Sequence, residues 1–196
     1  MNTDFIILHG AAGTGKSTLS KRLHEHLTSP YFEFGWIPEF RSLNPSIQIT
    51  QKEEEQLAFE NLMLVVKNYN QHGFKNIIIT DLDDARIREI PIQFEGFNYI
   101  ILTLYCDEDE VIRERIENRD NGNSYSDWEQ SIQLNSLIRR RNKLPNEYRI
   151  HNSSNDIEGA LEVLLDYLGT HVPSRNSETQ VSKDEFYSYI KDAPGS

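Results

Sequence analysis

Residues 9–18 read His-Gly-Ala-Ala-Gly-Thr-Gly-Lys-Ser-Thr, directly after the apolar run Phe5–Leu8. Gly10, Gly15, Lys16 and Ser17 satisfy G-x-x-x-x-G-K-[ST], a spacing whose chemistry is the retention of a phosphate chain. The backbone N–H groups of Gly10, Ala11, Ala12, Gly13, Thr14 and Gly15 can turn inward around phosphate oxygens, and a helix opening through Lys16, Ser17 and Thr18 adds its positive dipole end. Lys16 then reaches the outer phosphates and Ser17 offers its hydroxyl to Mg²⁺. A nucleoside triphosphate, taken as ATP, and Mg²⁺ are therefore the expected cofactors.

A metal at such a loop needs a carboxylate near it or its waters, normally at the end of a buried strand. Asp81 follows the apolar run Ile77–Thr80 and fits, with Asp83 and Asp107 as rivals. Asp81 could equally cap a helix starting near Asp84. Glu39 and Arg41 follow a second apolar run. Further on, Arg115 and Arg119 lie four apart and share a helical face, whereas Arg113 lies roughly 200° around from Arg115. The triplet Arg139, Arg140 and Arg141 spreads over a similar arc, and salt bridging within a solvated helix end accounts for such arginines without a ligand. His24 and His26 have no carboxylate or thiolate at metal-ligand spacing.

The elements that would carry these residues alternate. Leu19, Leu23 and Leu27 stack on one face of a helix over residues 16–27. Phe32, Phe34 and Trp36 alternate at the strand period until Pro38 removes a ladder donor, which predicts a strand delivering Glu39 and Arg41 to its C-terminal end. Thr50 and Glu53 form a capping box for a long helix presenting Ala58, Leu62, Val65 and Tyr69 on one face and closing at Gly73. The continuous apolar runs 76–80 and 98–106 read as parallel strands buried on both faces. A helix follows over 110–119, then a turn-rich stretch, and a capping box at Ser126 and Glu129 starts another helix that stops before Pro145. Residues 148–152 make a last strand and Asp156–Leu168, capped by Asn155, a last helix. Strands alternating with helices imply an α/β fold, a three-layer sandwich around a mainly parallel five-stranded sheet. The domain spans residues 1–168. Residues 169–196 form a polar extension, with a short helix expected at 183–191.

Composition narrows the partners. A formal charge of −11 excludes a protein that coats nucleic acid, because phosphate-backbone binding needs a basic surface. No apolar run approaches the roughly 20 residues of a membrane span. The acidic opening segment lacks the basic residues of a signal peptide. Cys106 is the only cysteine, and a cytoplasmic setting is expected. A homo-oligomer is compatible with the sequence.

A GTPase switch should carry N-K-x-D, but Asn142-Lys143 is followed by Leu144 and Pro145. A motor or transporter ATPase needs a second helical domain or a signature loop. With those set aside, the chain resembles the P-loop kinases of nucleosides, nucleotides and small metabolites. The resemblance rests on the loop at 10–18, Glu39 and Arg41 after the second strand, the acidic stretch 81–84, and the block 104–120. It covers roughly residues 3–168 and implies donor binding at the loop and an acceptor held between the strand ends and a lid at about 113–143. It also implies that Glu39 or Asp81 orients the acceptor hydroxyl and that Arg115 or Arg119 closes over the transferred group. Lys16, Glu39, Asp81, Arg115 and Arg119 are then the catalytic candidates, with Ser17 and Asp81 at the metal. The expected activity is transfer of a γ-phosphoryl group to a hydroxyl or phosphate of a small molecule. The alternative is a nucleotide-binding regulatory ATPase acting through a protein partner.

Overall fold

The computed structural model describes residues 3–44, 46–118 and 125–173. Five strands, β1 (Phe5–His9), β2 (Tyr31–Glu33), β3 (Ile77–Thr80), β4 (Tyr99–Tyr105) and β5 (Glu147–His151), form one sheet in the order β2-β3-β1-β4-β5. All pairings are parallel. The described residues form six α-helices, α1 (Lys16–Leu27), α2 (Gln51–Gln71), α3 (Asp84–Gln93), α4 (Asp109–Glu117), α5 (Trp128–Arg140) and α6 (Ile157–Thr170). The chain moves outward to β2, returns through β3, and crosses β1 to reach β4. That reversal opens a crevice at the C-terminal end of β1, the place where open parallel sheets bind ligands.

Alternation along β1 explains the layers. Phe5 and Ile7 face a core with Phe59, Leu62 and Met63 of α2 and Ile87 and Ile90 of α3. Ile6 and Leu8 face Leu19 and Leu23 of α1 and Leu161, Leu164 and Leu168 of α6. The expected three-layer sandwich is the fold observed. Thr50 and Glu53 make their reciprocal capping box. At the other end of α2, Gly73 has φ +91° and Phe74 N–H donates back to Tyr69 O, a Schellman ending that brings the Tyr69 and Phe74 rings together.

Several local expectations shift. β2 stops at Glu33, because β3 ends at Thr80, the register partner of Glu33, and Asp81 turns into the left-handed region at φ +69°. Residue 34 thus has no rung to join, and Phe34–Trp36 form a 3₁₀ turn. On α2 the buried stripe is Ala58, Phe59, Leu62, Met63 and Val66. Val65 and Tyr69 lie at its edge, since apolar residues on several faces of α2 let packing choose the stripe. Asp127, not Ser126, caps α5, and Asp156, not Asn155, caps α6, each accepting from the N–H three residues on. α6 runs two residues past Leu168 to Thr170. The helix expected at 183–191 lies outside the described residues.

Candidate active site

The glycine-rich loop leaves β1 through Gly10, at φ +141°. A Cβ there would sit 2.5 Å from Leu104 O and 2.7 Å from Thr14 Oγ1, so only glycine lets β1 turn this close to β4. Gly15 has φ +98°, and a Cβ on it would meet Asn152 Nδ2 at 2.6 Å. Inside the loop, the buried Thr14 hydroxyl donates to Ala11 O (2.9 Å) and Lys16 Nζ donates to the same carbonyl (3.0 Å). Asn152, after β5, donates from Nδ2 to Thr14 O (2.8 Å) and braces the loop from outside. No side chain caps α1, and its first turn holds no acidic residue. Its leading N–H groups are therefore open to an anion.

One carboxylate faces this loop and a second lies beside it. Asp81 lies in the same cleft as Lys16 and Ser17, which encloses about 800 Å³ and is walled on its far side by α5. Burial raises the Asp81 carboxyl above its ordinary range; the Lys16 charge opposes this, and the Glu33 carboxylate adds to it. Glu33, at the end of β2, accepts from the Tyr31 hydroxyl, whose own ionisation is pushed far up by burial and by Glu33. Helix α3 is capped by Asp83, whose Oδ1 accepts from Arg86 N–H, so Asp81 is left to the cleft. Two neighbouring carboxylates, one of them opposed by a lysine, fit a divalent cation. Mg²⁺ retains waters and is commonly held by one or two carboxylates plus substrate phosphates, and Ser17 and Asp81 would hold it here. No group of three or more His, Cys, Asp or Glu suited to a metal occurs among the described residues, and such a Mg²⁺ site needs none.

Glu39 and Arg41 stand apart from this cluster. Both are exposed beyond the 3₁₀ turn, where the backbone N–H of Phe40 and of Arg41 (2.6 Å) donate to Glu54 Oε1. The Arg41 guanidinium lies 3.6 Å from the same carboxylate. Glu54 is buried and organises this connection, yet in the run Lys52-Glu53-Glu54-Glu55 nothing separates it from its solvated neighbours. Arg115 on α4 donates to Gly13 O (3.3 Å), Asn152 O (2.8 Å) and Ser154 O. It joins α4, the loop and the β5–α6 connection on the side of the cleft away from Glu33. Arg119 lies outside the described residues. Asp107 pairs with Arg139 and, at 3.4 Å, with His151, away from the loop.

A family model described as an AAA domain, AAA_18, matches residues 6–133, from β1 through the loop into α5. The chain belongs to this family. A motor ATPase of the AAA type needs a second helical domain, and the described residues contain none. No curated protein matches the sequence. Among solved structures, a sugar kinase from Janibacter sp. HTCC2649 is 18% identical with a TM-score of 0.61, covering 85% of this chain and 95% of its own. The deoxyadenosine kinase of M. mycoides is 18% identical at 0.56 over 85% and 100%. Shikimate kinase from Acinetobacter baumannii is 19% identical at 0.54 over 87% and 96%. At these identities the likeness is one of fold, the P-loop fold of small-metabolite kinases.

Beneath the loop of this AAA-family domain lies a buried polar layer that the sequence does not announce. His9, 1% exposed, ends β1, and its Nε2 lies 3.4 Å from Asp84 Oδ1. That is the outer edge of hydrogen-bond reach, and neither ring nitrogen makes a well-formed hydrogen bond among the described residues. Asp84 also pairs with Arg88 (3.0 Å) and Arg141 (2.9 Å). Burial holds the His9 imidazole below its ordinary value. Burial by itself would raise Asp84, but His9 and Arg141 hold its carboxyl well below the usual range. Both act in one direction. Unfolded His9 takes up a proton near pH 6.5, about its free value, while the folded residue stays neutral, so stability falls as pH drops through that region. Asp84 contributes stability above its unfolded value of about 3.9, lost as pH falls further. His171, also lowered by burial, adds with the sign of His9. His9→Asn is expected to reduce the limiting slope of unfolding free energy between pH 5 and 6.5 by about 1.4 kcal/mol per pH unit, one proton's worth. Urea titrations across that range measure it, and an unchanged slope would show that His9 protonates in the folded state.

Proposed function

We propose that this protein is an ATP- and Mg²⁺-dependent phosphotransferase that passes the γ-phosphoryl group to a hydroxyl of a small molecule. The observation that carries the reading is that Lys16 and Asp81 line one cleft at the C-terminal end of β1, with the Glu33 carboxylate close enough to Asp81 to raise it further. Phosphoryl transfer asks a protein mainly for positioning and charge stabilisation. In this reading residues 10–18 hold the triphosphate and Ser17 and Asp81 hold Mg²⁺, whose charge lowers the barrier at the migrating group. Glu33 orients the acceptor hydroxyl and accepts its proton. Glu39, although placed after β2 by the resemblance, sits at the exposed rim. Arg115 supports the loop, and Arg119 is the proposed lid cation. The reading places the protein in a reducing, cytoplasmic setting, in keeping with its single buried thiol. The fold likeness to sugar, nucleoside and shikimate kinases supports a small-molecule acceptor. No described helix is long and apolar enough to cross a membrane.

The test is ADP release from Mg-ATP with and without a panel of nucleosides, nucleotides, sugars and hydroxy acids. Release should depend on an acceptor. Glu33→Gln is expected to lower kcat by about 10²-fold or more, the scale of a lost general base, whereas Glu39→Gln should change it less than threefold. A reversed order would return the role to Glu39. ATP binding with release indifferent to every acceptor would replace the kinase reading with regulatory nucleotide binding.

A further inference from the structure

We infer that the acceptor carries no anionic group: it is an uncharged or ammonium-bearing alcohol with an apolar body. The inference rests on the phosphotransferase reading and narrows its acceptor. Recognition of a carboxylate or phosphate on a substrate normally uses arginines free to make charge-assisted, bidentate bonds. The arginines that the β2–α2 connection and α3 bring to this side are already committed. Arg86 is 6% exposed, pairs with Asp83 and with Glu55 (3.3 Å), and lies over the Phe34 ring at 5.1 Å. Arg41 lies on Glu54.

Among the described residues, the charge left over at the end of β2 is negative. Glu33 is met by a neutral hydroxyl, and Glu39 is exposed with no ion-pair partner among the described residues. Mg²⁺ held by Ser17 and Asp81 would leave Glu33 with no cationic side chain on it among the described residues. An anionic acceptor would have to approach Glu33 and the nucleotide's phosphates together, and like-charge juxtaposition is the device by which sites reject wrong partners. An uncharged polyol meets no such penalty, and an ammonium group is attracted.

Trp36 supplies the other half. Its indole is 56% exposed although it packs edge-on against Tyr31 at 5.4 Å, the residue whose hydroxyl donates to Glu33. An aromatic face beside a carboxylate suits either an apolar ring or a cation.

The experiment uses the full chain with Mg-ATP and charge-matched acceptor pairs: adenosine against AMP, glucose against gluconate, and glucosamine against glucosamine 6-phosphate. Within the pair that is turned over, kcat/KM for the member without an anionic group is expected to exceed that of its partner by at least tenfold. Preference for the anionic member would overturn the inference and leave the kinase reading standing. No turnover with any member, although ATP binds, would overturn both. Trp36→Ala should raise the acceptor KM about threefold or more at unchanged KM for ATP; an unchanged acceptor KM would remove Trp36 from the site.

Discussion

Lys16→Ala is expected to lower Mg-ATP turnover by about 10³-fold or more, the scale at which loss of one preorganised donor to a developing oxyanion is felt, and to weaken triphosphate binding as well. The side chain reaches back across its own loop to Ala11 O, so its ammonium is held against the loop. It is also the cation that opposes the raised Asp81 carboxyl. Removing it withdraws charge from the phosphates and leaves Asp81 beside Glu33 with no lysine opposing its raised carboxyl. Both effects fall on the bound triphosphate. The apolar layers around β1 contain no part of Lys16, so the unfolding midpoint should move little, which separates site loss from misfolding. Calorimetric titration with a non-hydrolysable ATP analogue and Mg²⁺ reads binding, and single-turnover ADP formation reads chemistry. An alanine variant binding within threefold of the parent would show that the loop does not hold a triphosphate through Lys16.

The parts of this site legible in the sequence are those whose partners lie within one turn of chain. The glycines and Lys-Ser-Thr of residues 10–18, the capping box of Thr50 and Glu53, and the leucine rows of α1 each satisfy a local rule, and the structure reproduces them. Glu33 was hidden because its position depends on where β3 ends, through the register pair Glu33 and Thr80. The Phe32, Phe34 and Trp36 alternation suggested a longer strand because edge packing and strand pairing leave the same trace. Both Phe32 and Phe34 do pack on the core, but only the former is in the ladder. Asn152 braces the loop from 138 residues away, beyond any spacing rule. Arg141 was indistinguishable from Arg139 and Arg140, and the three separate completely: Arg139 pairs with Asp107, Arg140 is exposed, and Arg141 is buried.

Arg141→Ala is expected to be the most destabilising single change, costing about 3–5 kcal/mol, the range for removing one member of a buried ion pair. The guanidinium donates Nη1 to Glu147 Oε2 (2.7 Å), Nη2 to Glu147 Oε1 (2.8 Å) and Nε to Asp84 Oδ1 (2.9 Å). Glu147 also accepts from the Thr103 hydroxyl (2.6 Å) and from Leu144 N–H (2.7 Å), which completes its shell. Its side chain is 0% exposed and that of Arg141 is 8%, so water cannot replace the lost donors. Alanine would strand Glu147 and leave Asp84 with Arg88 and a neutral His9, two buried carboxylates where there was a satisfied triad. Against a total stability of about 5–15 kcal/mol for a domain, that loss is severe. Arg141→Lys should recover only part, because an ammonium cannot span both Glu147 oxygens and Asp84 as a fork does. Arg141→Met with Glu147→Leu should recover more than half of the alanine loss, since it removes charge in pairs. Urea unfolding with unchanged m-value measures the series. A loss below about 1 kcal/mol for Arg141→Ala, the scale of an exposed pair, would mean that water enters this layer. Because the triad ties the end of α5 through Asp84 to His9, the residue before Gly10, the same variant should also weaken nucleotide binding more than its distance from the cleft would suggest.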